Sequence, residues 1–162
     1  MKITTRVIAV LSLGISAVLL SACKPGVPEA TPATPAEIAS KIQSSKKLTM
    51  VHIWATWCDP CRDEFPEVVH VMQNFPELDV ILVSGDDPND PAPVNEFLAQ
   101  YESPVGSLVS TELNQAFIET FSPKWAGSLP ATFFYRDGKL VSEWEGKKTY
   151  EEYRETIETL LK

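Results

Sequence analysis

VHIWATWCDPCRDEFPE, residues 51–67, places two cysteines, Cys58 and Cys61, three positions apart between an apolar run and a polar run interrupted by Pro66. A pair at that spacing is a structural disulfide, half of a metal site, or a dithiol that exchanges electrons with other proteins. The flanks weigh these readings. LTMVHIWA, residues 48–55, has the length and character of a buried strand, and beyond Cys61 the apolar Phe65, Val68, Val69, Met72 and Phe75 recur at helical spacing. The pair therefore stands where a strand ends and a helix begins. A zinc site asks for about four ligands, whereas His52 and His70 are the only histidines and His70 falls on the expected solvent face of its helix. A disulfide closing so small a loop constrains the unfolded chain little. A dithiol at a helix start, in contrast, gains thiolate character from the free N–H groups and the positive end of the helix dipole.

Outward from this centre the chain reads as strands alternating with helices. Thr34, Pro35 and Glu37 spell a capped helix start, with the helix running to about Ser45. DVILVS (79–84) is a second buried strand, GDDPNDPAP (85–93) a loop, and Val94, Phe97, Leu98 and Tyr101 one face of a further helix. VGSLVS (105–110) is a short strand, and Leu113, Ala116, Phe117 and Phe121 mark another helix. ATFFY, the turn RDGK and LVSEWEG form a β-hairpin, with Asp137 and Gly138 as the turning residues. Thr149 and Glu152 cap a last helix that turns Tyr150, Tyr153, Ile157, Leu160 and Leu161 inward. This order predicts an α/β sandwich around a mixed sheet.

The 162 residues, 44% hydrophobic and 22% charged, suit one domain. Residues 1–22 stand apart: Lys2 and Arg6 precede an apolar run, Val7–Leu20, that reads as a secretory signal rather than a membrane span. Leu20, Ser21, Ala22 and Cys23 resemble the lipobox of bacterial lipoproteins, which makes Cys23 the lipidated new N-terminus and accounts for the odd cysteine count. Residues 23–35, rich in Pro, Ala and Thr, read as a spacer to a folded domain over 36–162. The net charge of −8 argues against nucleic acid as a partner.

In this setting the chain resembles the thioredoxin superfamily, and within it the membrane-tethered, TlpA-like thiol-disulfide oxidoreductases. WATWCDPC is similar to the WCxxC active site, Pro66 to the helix-bending proline after it, VSGDD to the end of the next strand, and SLPATFFYRDGKLV to the cis-proline strand and hairpin. The resemblance spans about residues 48 to 162. It implies a thioredoxin fold, with a central mixed β-sheet flanked by helices. It also implies Cys58 as nucleophile, Cys61 as resolving thiol and Pro130 as a cis-proline facing them, with Leu129 offering its backbone to a bound peptide. Trp57 is read as covering the edge of the substrate site. His52 stands where many members of the superfamily carry a buried acid, so it is a candidate for tuning Cys61. Asp59, directly after the nucleophile, opposes a thiolate there and shifts the pair toward reduction of clients.

The function implied is an exported, lipid-anchored reductase of disulfides in client proteins at the periplasmic face of an envelope membrane, supplied with electrons by a transmembrane thiol donor and needing no cofactor or metal. A disulfide oxidase or isomerase is the alternative within the same chemistry, and a Cu(I) carrier the alternative outside it. Asp63, Glu64, Glu67, Asp86 and Asp87 are read as solvated surface.

Overall fold

The computed structural model describes residues 28–162. The secretory signal, Cys23 and the first part of the spacer lie outside the described residues. In chain order the elements are β1 (Thr31–Ala33), α1 (Pro35–Ser44), β2 (Thr49–Trp54), α2 (Asp59–Asn74), β3 (Asp79–Ser84), α3 (Ala92–Gln100), β4 (Ser107–Ser110), α4 (Gln115–Phe121), β5 (Ala131–Arg136), β6 (Lys139–Glu145) and α5 (Tyr150–Leu160). One six-stranded sheet runs β1-β4-β3-β2-β5-β6. β1, β4, β3 and β2 are parallel neighbours, while β5 lies antiparallel to β2 and β6 antiparallel to β5. The mixed sheet flanked by five helices is a thioredoxin fold.

β2 is buried along its whole length, because helices cover both faces of the sheet. Its side chains alternate between two cores. Met50 and Trp54 join Phe65 and Val68 of α2, Phe97 of α3 and Ile157 of α5, whereas Val51 and Ile53 join Ile38 and Ile42 of α1 and Phe117 and Phe121 of α4. His52 lies between Met50 and Trp54 in the strand, so the pleat sends it to the face covered by α2 and α5.

The local signals work as chemistry demands. Thr34 and Glu37 close a reciprocal capping box on α1, and Thr149 and Glu152 close another on α5. Asp137 (φ 51°) and Gly138 (φ 71°) both take the left-handed conformation that a tight β5–β6 turn requires. Among the described residues no helix is long and apolar enough to cross a membrane.

Two boundaries differ from expectation. Part of the stretch read as a spacer is folded: Thr31–Ala33 pair with Leu108–Ser110 as edge strand β1, and the Ala30 N–H donates to Asn95 Oδ1 at 2.7 Å. An edge strand tolerates Pro32, which has no N–H to give. The chain just before β1 passes so close to Gly106 that a Cβ there would stand 2.3 Å from the Glu29 carbonyl oxygen. Leu113, expected on a helix, precedes α4, whose N-cap is Asn114.

Candidate active site

After β2 the chain makes one turn, closed by the Cys58 N–H donating to the Ala55 carbonyl at 3.2 Å, and enters α2 with Cys58 as N-cap. Sulfur takes the place that a hydroxyl or carboxylate fills at most helix starts: the Cys61 N–H donates to Cys58 Sγ at 3.3 Å. Cys58 and Cys61 form a disulfide. Cys58 retains 7% exposure and Cys61 has none, so only the first sulfur is open to attack from outside.

The Leu129–Pro130 peptide is cis. Ala131 pairs with Ile53, which puts Pro130 at the end of β2 from which the cysteine loop departs. Leu129 is half-buried and Pro130 buried.

Beside Cys58 opens an apolar groove of about 430 Å³, walled by Trp57, Leu113, Ile118, Trp125 and Leu129. None of its lining residues carries a charge. Trp57 and Leu113, 65% and 58% exposed, are the two most exposed large apolar side chains among the described residues, and both stand on this groove. Trp125 is buried as one of its walls, its indole N–H donating to the Ser128 carbonyl.

Asp86 is not on the surface as expected but 8% exposed. Its carboxylate accepts from the Thr56 N–H (3.0 Å), the Thr56 hydroxyl (2.5 Å) and the Ser84 hydroxyl (2.5 Å). Across the same residue, Arg62 donates to the Thr56 carbonyl at 3.3 Å. Two of the three donors come from Thr56, thirty positions earlier, a partner that the local sequence does not announce.

Glu64 also overturns its expected place: it is fully buried, as is His52. Three residues after Cys61, it faces inward along α2 into a polar cluster with Thr132 of β5 and Tyr153 of α5. The donors assign its protons. Tyr153 donates to Glu64 Oε1 at 3.0 Å, so its oxygen accepts from the Thr132 hydroxyl at 2.9 Å, and the Thr132 oxygen in turn accepts from His52 Nδ1–H at 3.0 Å. The Lys148 N–H gives Glu64 Oε1 a second donor at 2.8 Å. His52 Nε2 is thereby left as a lone pair, 3.8 Å from Glu64 Oε2, and neither atom has another partner.

Burial disfavours charge on both groups. It pushes Glu64 up to about 7, against the opposing hydrogen bonds from Lys148 and Tyr153, and pushes His52 down to about 3. The pair rests as a neutral imidazole facing a carboxyl that holds its proton until near neutrality. Burial, followed by the nearby Glu64, also holds the Tyr153 hydroxyl well above its ordinary range.

Asp59 opens α2 on the surface, and Asp63 pairs with Lys147 at 3.3 Å between exposed side chains. Of the residues singled out in the sequence, the structure thus gathers Cys58, Cys61, Trp57, Leu129 and Pro130 around the disulfide, with His52 in the cluster below α2. It adds Glu64, Thr132, Tyr153, Asp86, Leu113 and Ile118. Among the described residues no three His, Cys, Asp or Glu side chains converge as a metal site.

Residues 29–101 match the family described as Thioredoxin. Over 115 residues the chain is 26% identical to thiol-disulfide oxidoreductase ResA of Bacillus thuringiensis subsp. konkukian, a match covering 70% of this chain and 64% of that protein, so it spans a little under two thirds of that relative. A thiol:disulfide interchange protein of Chlorobium tepidum superposes with a TM-score of 0.63 at 17% identity, over 76% of this chain and 85% of the other. The exposed lipoprotein thioredoxin of Streptococcus pneumoniae superposes with a TM-score of 0.57 at 20% identity, over 75% and 89%.

Proposed function

The chain carries a thioredoxin-family domain, and on that premise we propose that it is an extracytoplasmic thiol-disulfide oxidoreductase that reduces disulfides in client proteins. The observation that carries the reading is the asymmetry of the two sulfurs: Cys58 caps a helix at the mouth of a groove, while Cys61, inside the same helix, is fully buried three residues before the buried Glu64. The similarity to ResA and to a thiol:disulfide interchange protein supports the same chemistry.

In the reduced protein the Cys58 thiolate, favoured by the N–H groups of the helix start, attacks a client disulfide. A bond forms between Cys58 and one client sulfur, and the other client sulfur leaves as a thiolate that takes a proton. Cys61 then gives up its proton and attacks Cys58 Sγ; the mixed disulfide breaks and the second client thiolate departs. Two electrons pass from the pair to the client, and the two client thiolates take up the proton released from Cys61 and one from solvent, leaving the Cys58–Cys61 disulfide. Glu64, three residues after Cys61 on α2 and ionised above about 7, serves as the base that receives the Cys61 proton, and His52 faces that carboxyl with Nε2 3.8 Å from Oε2. Leu129 and Trp57 bind the client beside the disulfide.

Electrons return from a thiol donor of the membrane, and Cys23 tethers the domain through lipid. The lipobox-like Leu20–Cys23 and the likeness to an exposed lipoprotein support the tether. Cys23→Ser is expected to move the protein from the detergent phase to the aqueous phase on partitioning; a variant that stays in the detergent phase refutes the anchor.

The exchange itself is tested by trapping. Cys61→Ala is expected to accumulate covalent complexes with clients through Cys58, since attack survives and release is lost, while Cys58→Ala accumulates none. Equal trapping by both variants would reverse or cancel the assigned roles.

A further inference from the structure

Trp57 poses a physical problem. It is 65% exposed, yet an uncharged groove opens at its side, and folding the indole down over that groove would remove apolar surface from water. Something holds it away. Trp57 stands in the turn closed by Cys58 N–H and the Ala55 carbonyl, and the residue before it, Thr56, is bound at every polar group it has. Its N–H and hydroxyl both donate to Asp86, and its carbonyl accepts from Arg62. Each anchor is itself fixed. Asp86 is held to the end of β3 by the Ser84 hydroxyl, which in turn accepts the Asp86 N–H at 2.9 Å, and the next link, Gly85 N–H to the Trp54 carbonyl, ties β3 to the end of β2. The Arg62 guanidinium lies 5.8 Å from the centre of the Phe97 ring, in the range of a cation–π contact.

We propose that Asp86 is a positioning residue which, through Thr56, holds Trp57 off the groove and keeps it open for an apolar side chain flanking the client's disulfide. The occupant follows from the site: the groove is continuous with Cys58, so whatever fills it is joined to the sulfur under attack, and its walls offer no charge, so that occupant is apolar. With the Asp86 carboxylate gone, Thr56 loses two of its three bonds, the turn loosens, and the indole settles into the space the client requires. Small disulfides, which do not fill the groove, are affected less.

The proposal rests on the exchange reading above, and its test separates the two. The substrates are a disulfide-bonded peptide with phenylalanine beside its cysteines and glutathione disulfide; the second readout is acrylamide quenching of Trp57, taken as the difference between each protein and its Trp57→Phe counterpart. Asp86→Ala is expected to lower kcat/KM on the phenylalanine peptide about tenfold and on glutathione disulfide at most about twofold, with Trp57 becoming less accessible to acrylamide. Thr56→Val, which removes one of the two bonds to Asp86, is expected to move both readouts the same way by a smaller factor, and it decides the question should Asp86→Ala not fold. Equal losses on the two substrates, or unchanged Trp57 quenching, overturn the proposal while leaving the exchange reading in place. A parent protein that exchanges with neither disulfide overturns both.

Discussion

The groove above Cys58 and the cluster below Cys61 are opposites in composition. Above, large apolar groups, Trp57 and Leu113, stand in water; below, His52, Glu64, Thr132 and Tyr153 are sealed in a core of aromatic and aliphatic side chains. Scattered exposed apolar residues mean little, but a contiguous apolar patch and a buried ionisable pair each need a reason. Under the proposed exchange the reasons divide the work of one reaction. The upper region offers surface that a client can bury. The lower region offers a carboxyl whose proton is held near neutrality, because no solvent reaches it to favour ionisation. Cys58 at the α2 N-cap lines the upper region, and Cys61, fully buried, lies three residues before Glu64 on the same helix.

If this division is right, damage below should slow proton transfer without touching client binding. Glu64→Gln keeps the shape and the acceptor oxygen but cannot take a proton, so the release of a preformed mixed disulfide is expected to slow by roughly 100-fold. In the parent that rate should rise with pH through about 7, since the ionised carboxylate is the active form and exists only above its pKa; in the variant that limb should vanish. Single-turnover release across the pH range reads both effects. A Glu64→Gln protein with the parent's rate and profile would remove the lower region from the mechanism.

Damage above should do the reverse. Leu113→Asp puts a charge on the groove wall and removes apolar contact worth about 1 to 2 kcal/mol, so kcat/KM on clients with apolar flanks is expected to fall roughly tenfold. The release rate of a preformed mixed disulfide should hold. A matching loss in both would show that the regions are not separable.

The smallest effect belongs to His52. Its Nε2 lone pair faces Glu64 Oε2 and favours the protonated carboxyl, so His52→Asn is expected to move the pH limb of release downward by less than one unit. An upward movement, or none, would make His52 a packing residue alone.

Much of this was legible in the chain because its signals are local. The Cys58–Cys61 spacing, the strand before it and the apolar period after it placed the disulfide at a helix start; Thr34 with Glu37, Thr149 with Glu152, and Asp137 with Gly138 marked caps and a turn that each depend on near neighbours. What escaped depends on partners far along the chain. β1 is three residues of Thr, Pro and Ala whose place is set by pairing with β4 and by the burial of Ala33, and it carries no apolar period to announce it. Asp86 is buried by Thr56, thirty positions earlier. Glu64 is the instructive case. Its residue type suggests solvent, yet it lies three residues after Cys61 and four before Val68, within the apolar stripe of α2, and that position outweighs its chemistry. A carboxylate in such a stripe is a sequence signal that residue type alone conceals.

The central claim, that the dithiol drives clients toward the reduced state, is tested most directly by equilibrating the purified protein with glutathione redox buffers and quantifying the Cys58–Cys61 disulfide. The carboxylate of Asp59, next to Cys58 in the chain, opposes a thiolate there by roughly 1 kcal/mol at a separation of about 6 to 8 Å and an effective dielectric near 40, which amounts to about 20 mV toward the reducing side. The account predicts a potential near that of thioredoxin, about −270 mV, moving upward in Asp59→Asn. A potential of about −120 mV, where a strongly stabilised thiolate makes the disulfide an oxidant, would contradict it and assign the protein to disulfide formation instead.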